Sequence, residues 1–148
     1  MSEPSDPRPS HVGLCVADLD AALRFYCDGL GFTAAERYEL DSEQVPGLDR
    51  SLEVPGRVRV VSQFIRHGGF AIELLHYAEP AAHGEPSASR AQRGYTHLAL
   101  HVDDLGAAVE RAVVAGGTVL PDTRASLGIE LVFLVDPDGN RVELLQMG

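Results

Sequence analysis

Two histidines and two glutamates stand out, because the chain writes their surroundings twice. The stretch SHVGLCVADLDAAL, Ser10–Leu23, aligns without a gap on THLALHVDDLGAAV, Thr96–Val109, when His11 is set on His97. Further along, FAIELLHY, Phe70–Tyr77, matches NRVELLQM, Asn140–Met147, which sets Glu73 on Glu143. Side chains on a strand alternate between faces. Val12, Leu14 and Val16 therefore share one face of the first strand, and His11, Gly13 and Cys15 the other. In the second copy Leu98, Leu100 and Val102 oppose His97, Ala99 and His101. Glu73 and Glu143 fall on the parity opposite to Ile72, Leu74, Val142 and Leu144, which suit a core. Each copy thus offers one imidazole and one carboxylate on the sheet face turned away from its helix. Taken singly, a strand histidine is usually structural and a glutamate in a last strand usually solvated. The repeat is what raises these four above that reading. Pairing the two copies about a pseudo-twofold axis can bring all four together. Two imidazoles and two carboxylates suit a divalent cation of intermediate hardness, Zn, Ni, Co, Mn or Fe. Such a set leaves coordination positions open for water or substrate.

The elements that must carry these residues can be read around them. In the first copy DLDAALRFYCDGLGF puts Leu19, Ala22, Leu23, Tyr26 and Leu30 near one helical face, with Asp18 or Asp20 as N-cap and Gly29 and Gly31 as the stop. In the second, DDLGAAVERAVVAGG runs from Asp103 to a stop at Gly116-Gly117. Strands are expected at about Thr33–Leu40, Val58–Arg66 and Phe70–Tyr77, and again at about Thr118–Leu120, Leu131–Val135 and Arg141–Gln146. The turns are HGG, His67–Gly69, and DPDGN, Asp136–Asn140. Each half reads strand–helix–strand–strand–strand. The expected class is α+β, two paired βαβββ modules whose curled mixed sheets enclose a cleft. The division is a loose leader over 1–9, a first module over 10–78, a linker over 79–94 and a second module over 95–148. An irregular stretch, Asp41–Arg57, interrupts the first half and reads as a flap or surface loop. Its shorter counterpart is Pro121–Glu130.

Composition sets the outer bounds. The chain has 148 residues, 45% of them hydrophobic, enough for one compact domain or two closely packed small modules. A formal net charge of -10 argues against nucleic acid as a partner, since nothing would neutralise a run of phosphates. Lysine is absent, so all twelve non-histidine side-chain cations are arginines and lysine Schiff-base chemistry is excluded. No apolar run is long enough for a membrane span, and the polar opening MSEPSDPRPS lacks a signal-peptide pattern, so the expected location is the cytoplasm. Cys15 and Cys27 read as two reduced thiols.

In HVGLCVADLDAALRFYCDGLGF, FAIELLHY, THLALHVDDLGAAVERAVVAGG and LVDPDGNRVELLQ, the chain resembles the vicinal oxygen chelate superfamily from about Ser10 to Met147. That superfamily includes glyoxalase I, methylmalonyl-CoA epimerase, extradiol dioxygenases, and fosfomycin- and bleomycin-resistance proteins. The resemblance to glyoxalase I-like members implies metal ligands at His11, Glu73, His97 and Glu143. It also implies a metal-stabilised enediolate, with Glu73 or Glu143 as the base that moves the proton. The leading expectation is a metal-dependent lyase or isomerase acting on a small oxygenated substrate, as a homodimer. An Fe(II) dioxygenase-like enzyme using His11, His97 and Glu143, and a non-enzymatic drug- or metabolite-binding protein, are the alternatives. Cys15, Tyr77, His101 and Arg141 share the parity of the four ligands and are expected to line the substrate. His67 and His83 are expected in solvent and His76 on the helix side. Glutathione-dependent members carry Arg where this chain has Cys15, and Asn where it has Tyr77. Epimerases usually carry Gln at the position of Glu73.

Overall fold

A computed structural model describes residues 5–148. The leader expected over 1–9 therefore falls partly outside the described residues. The elements follow the duplicated order. Strand β1 (Val12–Cys15), helix α1 (Leu19–Leu23) with a π-helical continuation over Arg24–Gly29, β2 (Thr33–Asp41), the short helix α2 (Leu48–Ser51), β3 (Arg59–His67) and β4 (Phe70–Glu79) make the first half. Strand β5 (His97–His101), helix α3 (Leu105–Val114), β6 (Thr118–Ser126), β7 (Ile129–Val135) and β8 (Arg141–Met147) make the second. Two four-stranded mixed sheets result, ordered β1-β4-β3-β2 and β5-β8-β7-β6. In each, the first strand runs parallel to the last and the other pairings are antiparallel. Among the described residues no helix is long and apolar enough to cross a membrane.

Local chemistry explains the helix boundaries. Asp18 and Asp104 hold equivalent N-caps, each side chain accepting from the amide three residues on, Ala21 and Ala107, at 3.0 Å. Past Gly116, whose φ of +106° only glycine takes easily, Gly117 lies under the Phe25 ring. A Cβ there would stand 2.6 Å from that ring. The turn after α3 is therefore tight for a packing reason as well as a capping one.

The helix-side faces of both sheets drain into one core. Val16, Leu19, Phe25, Tyr26, Ile72 and Leu74 of the first half share a single cluster with Leu105, Ala112, Val132, Leu134, Val142 and Leu144 of the second. Each of the larger side chains contributes about 1.5–3 kcal/mol by leaving water. A buried polar bond joins the halves too, for the Tyr26 hydroxyl donates to Asp136 Oδ2 at 2.7 Å. Burial first, and then the Asp136 charge, push the Tyr26 phenol well above its ordinary range, so it stays a neutral donor.

Three readings of the sequence are corrected. The helical face included Tyr26 and omitted Phe25, yet both are buried, because the π-helical turns over Arg24–Gly29 place two consecutive aromatics inward. Val12 was expected under the helix and is 40% exposed; it faces a hollow between β1 and β5. The second half's strand was read as ending at Leu120, whereas β6 continues to Ser126. Its register shifts between Leu120 and Ala125. Pro121 cannot donate to the ladder, and Thr123 fills the gap, its hydroxyl donating to Leu120 O at 2.6 Å and accepting from the Phe133 amide at 2.8 Å.

Candidate functional site

Parallel pairing of the first and last strand in each sheet sets the candidate ligands side by side. In the first sheet Gly13 is in register with Glu73, and His11 Nε2 stands 3.6 Å from Glu73 Oε1. In the second, Ala99 is in register with Glu143, and His97 Nε2 stands 3.8 Å from Glu143 Oε1. A Cβ on Gly13 would lie 3.9 Å from Glu73 Oε1, an ordinary contact, so the two groups are direct neighbours on that face.

Both pairs have the same supports. His11 Nδ1 is bonded to the Ser10 hydroxyl at 2.8 Å, and His97 Nδ1 to the Thr96 hydroxyl at 2.7 Å. Phe64, in register with Glu73, packs edge-on to His11 at 4.9 Å between centroids; Phe133, in register with Glu143, does so to His97 at 5.1 Å. With Nδ1 engaged and the ring flanked, each Nε2 is presented on the same face as its carboxylate. The Nε2–Oε1 gaps exceed a hydrogen bond. Two N/O donors sharing one ion at ~2.0–2.2 Å would be about 3.0–3.5 Å apart, close to what is seen. The donor chemistry and the spacing both fit half of a divalent metal centre.

The two halves do not meet within the chain. Among the described residues no group of three or more His, Cys, Asp and Glu side chains is placed to hold a metal ion. The shared core explains this: the helix-side faces are used up against each other, so the faces bearing the His–Glu pairs lie outside it.

The pairs also differ in one respect that the sequence reading missed. Ser62, 2% exposed, donates its hydroxyl to Glu73 Oε2 at 2.6 Å. Ser62 is paired with Leu75, two residues from Glu73; the residue paired with Leu145, two from Glu143, is Leu131. Glu143 has no hydroxyl partner among the described residues. Strand parity alone held the signal, since Ser62 is the one polar residue among Val60, Ser62 and Phe64 on that face.

The expected lining residues separate. Tyr77 lies near Cys15 and Glu73; burial first, and then those two neighbours, raise its phenol pKa. Cys15 is raised as well, by burial and by Asp138, which makes it a poor thiolate. Tyr77 also joins Leu75 in a small apolar cluster with Leu48, Leu52 and Val54 of the 41–57 stretch. That stretch therefore covers the first sheet's His–Glu face beyond Glu73. Arg141 pairs with His97 and lines the same hollow. His101 lines a different hollow, with Asp103, Arg111 and His67. His67 and His83 are exposed, and His76 Nδ1 contacts Val16 O at 3.2 Å.

Comparison with known proteins gives a consistent picture. The family model described as "Glyoxalase/Bleomycin resistance protein/Dioxygenase superfamily" matches residues 8–144. A probable lactoylglutathione lyase of Vibrio cholerae is 27% identical over 144 residues, covering 96% of this chain and 92% of that protein. The lactoylglutathione lyase of Pseudomonas aeruginosa is 28% identical, covering 93% and 81%. Among solved structures, a glyoxalase family protein from Bacillus cereus superposes with a TM-score of 0.83 at 20% identity, over 100% of this chain and 99% of its own.

Proposed function

Because the chain belongs to the glyoxalase/bleomycin resistance protein/dioxygenase superfamily, we propose that it is a metal-dependent lyase or isomerase of the glyoxalase I-like type. It acts on a small oxygenated substrate as a homodimer, with His11 and Glu73 of one protomer and His97 and Glu143 of its partner holding one divalent ion. The observation that carries this reading is the pair of matched His–Glu half-sites, their histidines supported alike and kept apart by the chain's own core. The relatives named lactoylglutathione lyase support the reaction class. Two free thiols suit the reducing cytoplasm.

When bound, the ion supplies Lewis-acid polarisation of neighbouring substrate oxygens, which acidifies the carbon–hydrogen bond beside them. The residues of the chain do the rest. Ser10 and Thr96 hold the imidazoles by Nδ1 and so fix which nitrogen faces the ion. Ser62 ties down one oxygen of Glu73, which suits a fixed ligand. Glu143, without that tether, is the carboxylate freer to take the proton from one carbon and return it to the next. Phe64 and Phe133 keep water from one side of each ring.

Metal content measured by ICP-MS on the wild-type protein and on Glu143→Ala tests the proposal. About one Zn, Ni, Co, Mn or Fe per chain, lost in the variant, is the expected result. No metal in either, and none taken up on reconstitution, overturns it.

A further inference from the structure

Beyond each candidate carboxylate the strand that carries it runs on into uncharged side chains. On the first sheet Leu75 follows Glu73 on the same face, about 7 Å further along, with Cys15 and Ser62 beside it in register. On the second sheet Leu145 follows Glu143, with Leu131 beside it, and Met147 comes next beside Ile129. The arginines that border the first face are matched to acids. Arg66, stacked on Phe64, meets Glu36 at 3.0 Å, and Arg57 meets Asp41, Glu43 and Glu79 at 2.9, 3.1 and 3.6 Å. Arg141 lies on the opposite side of Glu143 and lines the hollow at the strand edges, its Nη1 donating to Gly139 O at 2.9 Å.

The two faces differ in cover. Leu48, Leu52 and Val54 pack with Leu75 and Tyr77. The base of that stretch is pinned where the Ser42 amide donates to Val58 O and the Val58 amide to Ser42 Oγ, each at 2.9 Å. The first face therefore closes a short way past Leu75. Met147 holds the place of Tyr77 in the second sheet and is 65% exposed, so that face stays open. An extended anionic peptide such as a glutathionyl group has carboxylates at both ends and an ammonium at one. Laid on these faces, its charges leave water for leucine, methionine and tyrosine, in a chain of net charge -10. Burying a charge without a partner is costly, whereas an apolar body gains by the same burial.

We propose that the substrate is uncharged apart from the oxygens that meet the ion, with an apolar body that is short on the Leu75 side and longer on the side of Leu145 and Met147, and that a glutathionyl carrier is rejected. This deepens the proposed function and rests on it for the ion and the shared cleft. The reaction class is unchanged; what differs is the group attached to the reacting carbons. The chemistry of each face belongs to one chain by itself and does not depend on the ion. Cys15 is exposed beside Leu75, so it is the position at which the charge preference can be inverted without opening the core.

The test uses two probes that share a hexyl tail, S-hexylglutathione and the uncharged 2-(hexylthio)ethanol. Each is titrated into EDTA-treated and into zinc-loaded protein and followed by amide shifts in two-dimensional NMR. The uncharged probe is expected to bind both forms at least tenfold more tightly and to shift the amide of Leu75 or Leu145. Cys15→Arg places a cation on the first face and is expected to tighten S-hexylglutathione at least tenfold while moving the uncharged probe less than twofold. Cys15→Ser, which adds no charge, is expected to change neither. Wild-type protein that binds S-hexylglutathione as tightly as the uncharged probe overturns the proposal. So does the lack of saturable binding by the uncharged probe, a set of shifts that spares both leucines, or a Cys15→Arg protein without the gain. Zinc content of the same samples separates the two readings. A protein that takes up no zinc yet keeps the preference loses the ion and not this inference, and one that binds zinc but prefers S-hexylglutathione does the reverse.

Discussion

Ser62→Ala isolates the one asymmetry between the two half-sites. The hydroxyl lies 2.6 Å from Glu73 Oε2 and is almost wholly buried, so water does not replace it easily when it is removed. A hydrogen bond to a charged acceptor contributes about 1.5–3 kcal/mol. That figure bounds what the bond contributes to holding Glu73 ready for an ion. At about 1.4 kcal/mol per decade, metal affinity falls by about 10–100-fold, which is the usual cost of losing a residue that orients a ligand. Alanine leaves only a small void, so the fold survives. The assay is competition for Zn²⁺ or Ni²⁺ against a chromogenic chelator, with circular dichroism as the check on folding. Leu131→Ala is the control, because Leu131 occupies the same register position in the second sheet without touching Glu143 through a hydrogen bond. A change below threefold in Ser62→Ala, or an equal loss in Leu131→Ala, refutes the argument that Ser62 positions Glu73.

Three further outcomes follow from the geometry. Mixing inactive Glu73→Ala and Glu143→Ala proteins, after brief dissociation, regenerates activity and metal binding in the mixed dimers, which hold one intact site each; a mixture as dead as its components refutes a site shared between protomers. Tyr26→Phe removes the buried bond to Asp136 but leaves that carboxylate its contacts with Asn140 and the Asp138 amide, so the loss is about 1.5–3 kcal/mol and a melting point lower by roughly 3–12 °C, read by calorimetry. Asp138 is pushed above the ordinary aspartate value by burial first, then by Asp136, Asp18 and Glu85, against the Ala17 amide that lowers it. The folded state therefore holds this proton more tightly than the unfolded chain. Its contribution is present below the ordinary aspartate range and is lost as pH rises through the raised value. Melting curves of Asp138→Asn against wild type across pH 3 to 7 are expected to diverge in the variant's favour above about pH 4; parallel curves contradict the shift.

Much of this was legible because the chain carries its own alignment. The repeat put His11 on His97 and Glu73 on Glu143, and strand parity sent all four to the face away from the helices; the register pairs Gly13 with Glu73 and Ala99 with Glu143 accordingly. The first helix's cap, read as Asp18 or Asp20, and the DPDGN turn were legible because such signals act within a few residues of themselves; the equivalent cap at Asp104 shows only in the structure. What parity cannot convey is how one module sits against the other. The sequence suggested a cleft enclosing four ligands, while Phe25, Tyr26 and Gly117 dictate a back-to-back packing that keeps the two pairs separate within the chain. Phe25 was missed because a 3.6-residue period cannot foresee π-helical turns. The length of β6 was missed because Pro121 and Gly128 look like loop, and only the Thr123 hydroxyl shows how the ladder survives. Ser62 carried a signal in its parity, a lone hydroxyl on an apolar face.

The shared core of the two modules has a thermodynamic corollary. In the proposed assembly each ion bridges two chains, so ion binding and chain association are linked equilibria. Whatever free energy the ion adds to association, association returns to ion affinity in equal amount. Chelators would then act as dissociating agents, and dilution would act as a chelator. The specific activity of such a protein would depend on its own concentration and on free metal together, and neither constant has a meaning without the other being stated.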